Sequence, residues 1–97
     1  MNTLNERFFK DAVNWFITEK APDLKEKIDN ALLLIENKTP LEEKHRKLFG
    51  FILFDYSMLK SYGSPLFFIA AEECATEIGV LEEMKDYAND WINHSKK

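Results

Sequence analysis

The chain has 97 residues, of which 45% are hydrophobic and 31% charged, and its net charge is −4. This length fits a single domain over residues 1–97, and this composition excludes an intrinsically disordered chain. The single cysteine excludes an intrachain disulfide and predicts a cytoplasmic location. The apolar runs are too short for a membrane span, and the chain starts without the apolar segment of a secretion signal, so we expect no contact with a membrane.

The first two helices are predicted from capping residues and from the spacing of apolar side chains. Helix 1 is expected over residues 4–19, after a capping box formed by Thr3 and Glu6. Helix 2 begins either with Asp23 as its N-cap or with Pro22 as its first helical residue. Helical spacing predicts that both helices bury one apolar face. The residues on these faces are Phe8, Phe9, Ala12, Val13 and Phe16 in helix 1, and Leu24, Ile28, Ala31, Leu32 and Ile35 in helix 2.

The third helix is expected to be the central one, because apolar residues lie on most of its sides. Thr39 is its predicted N-cap, Pro40 is its first residue, and Gly63 ends it. Gly50 indicates that the backbone of a neighbouring helix comes close. Leu53 and Phe54 lie outside the main apolar arc, which predicts burial from two sides or an exposed apolar patch.

The last two helices follow at once. Ser64 is the predicted cap of helix 4, and Gly79 ends this helix before helix 5 begins near Leu81. Their predicted core faces are Phe67, Ala70, Ala71, Cys74 and Ile78 in helix 4, and Leu81, Met84, Ala88, Trp91 and Ile92 in helix 5. Because no alternating strand pattern competes, we predict an all-α fold. The fold is a compact bundle or orthogonal array of four to five antiparallel helices joined by short loops.

Asp55 lies inside the apolar arc of helix 3, where an ionised carboxylate needs a partner. One interpretation is structural: Asp55 caps a neighbouring helix, accepts a hydrogen bond from a tyrosine or an indole, or pairs with a lysine. The other is functional: Asp55 lines a pocket or an interface.

We expect no catalytic, metal or cofactor site. Glu42 and His45 have the helical spacing found in di-iron bundles, but those sites need the motif twice, and a second copy is absent. Asp90 and His94 supply only two ligands. Cys74 lies in the sequence "AAEECATE", where the acidic neighbours raise a thiol pKa, so a core role is favoured over a nucleophilic one.

The negative charge is concentrated in the last third of the chain. Residues 1–60 carry ten acidic and ten basic side chains, whereas residues 61–97 carry seven acidic and three basic ones. Such a surface repels nucleic acid and attracts cationic proteins, so we expect a basic protein partner and no direct contact with nucleic acid. Ile69 lies among the glutamates rather than on the core face of helix 4. The predicted partner-binding residues are Ile69, Glu72, Glu73, Glu77, Glu82 and Glu83.

These features favour a small acidic, non-enzymatic protein-binding module that occludes a basic partner surface. Inhibitors, immunity proteins, antitoxins and phage anti-defence proteins can act in this way. The alternative is a homo-oligomeric structural or regulatory module, with a self-complementary interface formed by Leu33, Leu34, Leu53 and Phe54. A third hypothesis is a small-molecule site or enzyme built around Asp55.

Overall fold

The computed structural model describes residues 3–60 and 64–95, and these residues form five α-helices with no strand among them. The helices are α1 (Thr3–Trp15), α2 (Lys25–Glu36), α3 (Glu43–Asp55), α4 (Pro65–Ile78) and α5 (Leu81–Ser95). A π-helical turn follows α1 over Phe16–Lys20, another follows α3 over Tyr56–Lys60, and a 3₁₀ turn (Pro22–Leu24) precedes α2. The predicted all-α fold is therefore confirmed.

The predicted start of the third helix at Pro40 is wrong, because α3 begins at Glu43. Thr39 does not cap α3. Its backbone N–H instead donates to the carbonyl of Leu34 at 2.8 Å and so closes the end of α2. Glu42, in extended backbone, is the N-cap of α3 and makes no capping bond with its side chain. Residues 39–42 are therefore not helical, and α3 starts after them.

The short turns between helices have well-defined backbone geometry. Gly79 has a φ of +80°, and Val80 donates to the carbonyl of Ala75 at 2.7 Å, so the predicted stop of α4 is confirmed as a Schellman motif. Lys38 has a φ of +58° and plays the same part at the end of α2, where glycine is the usual residue. The predicted cap at the Thr3 side chain and the predicted stop at Gly63 lie outside the described residues.

The core is one connected cluster to which all five helices contribute. The whole predicted face of the first helix is buried, from Phe8 in α1 to Phe16 in the π-helical turn that follows. Leu53 and Phe54 of α3 are also buried, which confirms that α3 is covered on several sides. These two residues are therefore unable to form the self-complementary interface of the oligomer hypothesis, although Leu33 on α2 is exposed.

Gly50 lies in the contact between α3 and α5, which is the most extensive contact between two of the described helices. A Cβ atom added at Gly50 would lie 2.9 Å from the Cβ of Glu83 and 2.9 Å from the backbone nitrogen of Met84. Ordinary side chains do not approach so closely, so only glycine permits this helix spacing. The prediction that a neighbouring backbone approaches Gly50 is confirmed.

The outer parts of α4 and α5 differ from the predicted faces. Phe67 is 40% exposed, whereas its neighbour Phe68 is partly buried against the core, with its ring 6.4 Å from that of Phe54. On α5, Met84 is buried, but Trp91 and Ile92 are about half exposed because the apolar stripe continues past the core. None of the described helices combines the length and the low charge that crossing a bilayer requires.

Candidate functional site: an apolar groove beside α4

An apolar groove of about 430 Å³ runs beside the first half of α4. Leu66 is 78% exposed there, Ile69 55% and Phe67 40%. Three of the seven large exposed hydrophobic side chains of the described residues thus lie within four positions of one helix, which makes this patch the most concentrated of its kind. The groove is lined by Phe8, Leu66, Phe67, Ile69, Ala70 and Glu73.

The local sequence explains why this groove exists. The segment "PLFFIAA" opens α4 with apolar residues in every direction, and a helix packed on one side covers only part of them. Contacts with α1, α3 and α5 bury Ala71, Cys74 and Ala75. The opposite face keeps Leu66 and Ile69 in water. The apolar run was visible in the sequence, but its exposed side depended on which neighbours α4 has.

Two of the predicted glutamates border this groove. Glu73 lines it, and Glu72 lies one turn from Ile69 on the same helix. Both side chains are exposed, and no described residue forms a salt bridge with either. The reason lies in the sequence, which has no lysine or arginine between Lys60 and Lys85.

The remaining predicted glutamates lie elsewhere. Glu77 accepts a hydrogen bond from Asn5 Nδ2 at 3.1 Å, toward the other end of α4. Glu83 is mostly buried beside α3, and its Oε1 lies 3.1 Å from Arg46 Nε. Glu82 is exposed in the first turn of α5. Glu83 therefore takes part in the contact between α5 and α3. The predicted glutamates do not form one continuous acidic surface.

Asp55 is half-buried, and within residues 3–60 and 64–95 it forms neither a hydrogen bond nor a salt bridge. Burial raises the pKa of its carboxyl above the ordinary value of 3.8, and the positive charge of Lys20 partly offsets this rise. Among the described residues, no helix end, tyrosine or indole donates a hydrogen bond to it. Asp55 instead lies at the edge of the core with part of its surface in water.

Cys74 is fully buried where α4 packs on α1, and its Sγ donates to the carbonyl of Asn5 at 3.2 Å. Burial, followed by the charges of Glu77 and Glu73, raises the pKa of this thiol to about 12. A thiol in this state is a poor nucleophile at neutral pH. The interpretation of Cys74 as a small core residue agrees with these contacts.

The histidines differ in their surroundings. His94 is exposed, and its Nδ1 lies 2.7 Å from the carbonyl of Asp90 in the preceding turn. His45 is half-buried on the first turns of α3. In the described part of the chain, no group of three or more histidine, cysteine, aspartate or glutamate side chains is arranged to hold a metal ion.

No protein-family model matches this chain, and it shows no significant similarity to any curated protein or solved structure with which it was compared. A function can therefore be inferred only from the geometry and charge of the groove.

Proposed function

We propose that this chain is a non-enzymatic protein-binding module whose α4 groove takes up an apolar segment of a basic partner and thereby occludes that partner's surface. The supporting observation is the pairing of exposed Leu66, Phe67 and Ile69 with Glu72 and Glu73, which no described cation neutralises. An apolar centre with a charged rim is the common anatomy of a recognition site. The carboxylates speed the approach of a cationic surface and fix its orientation.

A basic partner fits this surface better than a second copy of the chain. Two copies that met through their α4 grooves would bring Glu72 and Glu73 close to the same residues of the other copy. Like charges that face each other across an interface oppose binding. A lysine-bearing or arginine-bearing partner would supply the cations that this face lacks.

The test is affinity capture from the source cell with wild-type protein and Ile69→Glu. A charge at the centre of the groove should weaken capture at least tenfold, because it would be buried against apolar partner atoms. Leu33→Glu is a matched control, since Leu33 is 54% exposed and Ile69 55%, and Leu33 does not line the groove. Equal capture by wild type and Ile69→Glu would refute this choice of surface.

A second pair of variants tests the charge component. Glu72→Lys with Glu73→Lys should reduce binding of the purified partner and weaken its dependence on salt, whereas Glu26→Lys on exposed α2 should change neither. Light scattering tests the alternative. A wild-type dimer that becomes a monomer in Ile69→Glu would favour the homo-oligomeric module over a basic partner.

A further inference from the structure

A second cavity, of about 240 Å³, lies between α1 and the π-helical turn after α3. It is lined by two aromatic residues, two acidic residues and one lysine, together with Asn14 and Thr18; these are Trp15, Tyr56, Asp11, Glu19 and Lys60. Aromatic faces and carboxylates are the two kinds of group that attract organic cations in proteins. We call this cavity the aromatic pocket.

The aromatic pocket adjoins the α4 groove through a chain of ring contacts. The ring of Tyr56 lies 5.7 Å from that of Trp15 and 5.2 Å from that of Phe8, measured between centroids. Phe8 lines the α4 groove, and its ring lies 5.9 Å from that of Phe67. Phe8 in the groove is therefore in contact with Tyr56 in the pocket, and a segment bound in the groove would lie next to the pocket.

The carboxylate of Asp11 also favours a cation at the aromatic pocket. Phe8, Asp11 and Trp15 follow one another at helical spacing along one face of α1. Burial raises the pKa of the Tyr56 hydroxyl, and the negative charge of Asp11 raises it further. The Asp11 carboxylate is therefore close enough to Tyr56 to interact with it electrostatically. Asp11 is exposed, and no described lysine or arginine pairs with it.

The chain's own lysines already make loose contacts with these groups. Lys20 Nζ lies 5.8 Å from the centre of the Trp15 ring, near the outer limit of a cation–π interaction. Lys60 Nζ lies 3.9 Å from Glu19 Oε2, and both side chains are more than half exposed. Exposed pairs at such distances contribute little stability, so a better-fitting cation can displace them.

We infer that the aromatic pocket binds the guanidinium group of an arginine that the partner presents next to the α4 groove. A guanidinium stacks on aromatic rings and donates hydrogen bonds to carboxylates at the same time, which matches Trp15 and Tyr56 together with Asp11 and Glu19. The inference rests on the proposed function in one respect only, which is that the arginine belongs to the partner bound in the groove.

The test uses acetyl-arginine methylamide and its citrulline analogue, which has nearly the same shape without the charge. The protein carries Trp91→Phe, so that Trp15 is its only tryptophan. In an NMR titration into the tens of millimolar range, the arginine compound should shift the Trp15 indole and Tyr56 ring signals in a saturable way. The citrulline compound should not. Equal shifts with both compounds, or none with either, would overturn the inference.

A variant separates this inference from the proposed function. Asp11→Asn should weaken binding of the arginine compound about fivefold, while Asp86→Asn on exposed α5 should leave it unchanged. Ile69→Glu should weaken partner capture at least tenfold but leave binding of the arginine compound intact. If Ile69→Glu loses the partner while the arginine compound never binds, the groove proposal stands and the aromatic pocket proposal falls. An Asp11→Asn protein that binds the compound as tightly as wild type would also overturn it.

Discussion

A carboxylate at the edge of an apolar core needs no hydrogen-bond donor when part of it still reaches water, and Asp55 is such a residue. The described residues around it remove some of its solvation without donating a hydrogen bond, and the charge of Lys20 only partly compensates. The ionised form is therefore disfavoured in the folded state. The free energy of unfolding therefore changes with pH in the range where this carboxyl titrates, and this change can be measured.

We expect Asp55→Asn to stabilise the protein at neutral pH, because it removes a carboxyl whose ionised form burial disfavours. The folded-state pKa of Asp55 is raised above 3.8, so the folded protein binds more protons than the unfolded chain between 3.8 and that raised value. Wild-type stability thus falls through this window as pH rises, and the asparagine variant lacks this loss. Urea unfolding at a series of pH values measures the difference.

The gain should vanish below the ordinary pKa, where aspartic acid is neutral in both states. Asp86→Asn, on the exposed side of α5, is the control for removing a negative charge. A destabilised Asp55→Asn protein at neutral pH would mean that Asp55 accepts a bond that matters.

At the scale of the element, α3 and α5 pack closely because residue 50 is a glycine and has no side chain. The two helices come so close at Gly50 that a methyl group there meets the backbone of α5 rather than a side chain that can turn away. The Arg46–Glu83 ion pair lies at the same contact. The interface therefore combines close backbone packing with a partly buried ion pair. Glu83 takes part in both, so a movement of α5 at Gly50 would also move the ion pair.

We expect Gly50→Ala to destabilise the protein by about 1–3 kcal/mol, because α5 must move outward to admit the methyl group. Alanine gains about 1 kcal/mol in helix propensity over glycine, so a loss of stability isolates the steric effect. The midpoint of urea unfolding measures it. Asn30→Ala, on the exposed surface of α2, is the control. A higher midpoint for Gly50→Ala than for wild type would contradict the close approach.

On the scale of the whole molecule, Cys74 reports whether the helices open together. Its thiol is sealed between α4 and α1 and is bonded to the Asn5 carbonyl. A reagent reaches it only when α1 leaves α4, and α1 also carries four buried side chains of the common core. Because that core is one connected cluster, separating these helices should require unfolding of the whole protein.

We therefore expect a thiol reagent to label the native protein more than about a thousandfold more slowly than the urea-unfolded chain. The pKa of about 12 lowers reactivity further in the folded state. The labelling rate should rise with urea in parallel with the loss of helical circular dichroism. Fast labelling without urea, at unchanged helicity, would reveal a local opening of α1 and contradict a cooperative core.

The sequence by itself determined the all-α fold of four to five helices, the buried apolar face of the first helix and the stop at Gly79. These features depend on spacing and on local backbone chemistry, which a single chain segment carries within itself. The surplus of acidic side chains in the last third was equally legible, and with it the absence of local counter-charges for Glu72 and Glu73.

Only the tertiary structure decided which apolar residues face water and which charges find partners. Phe67 and Phe68 are adjacent and chemically identical, yet Phe67 lines the groove and Phe68 packs against Phe54 at the edge of the core. Likewise Arg46, 37 residues away, takes up Glu83, and Thr39 closes α2 instead of opening α3. The physical reason is that burial and ion pairing depend on neighbours brought together by packing, and helix periodicity carries no information about which neighbour covers which face.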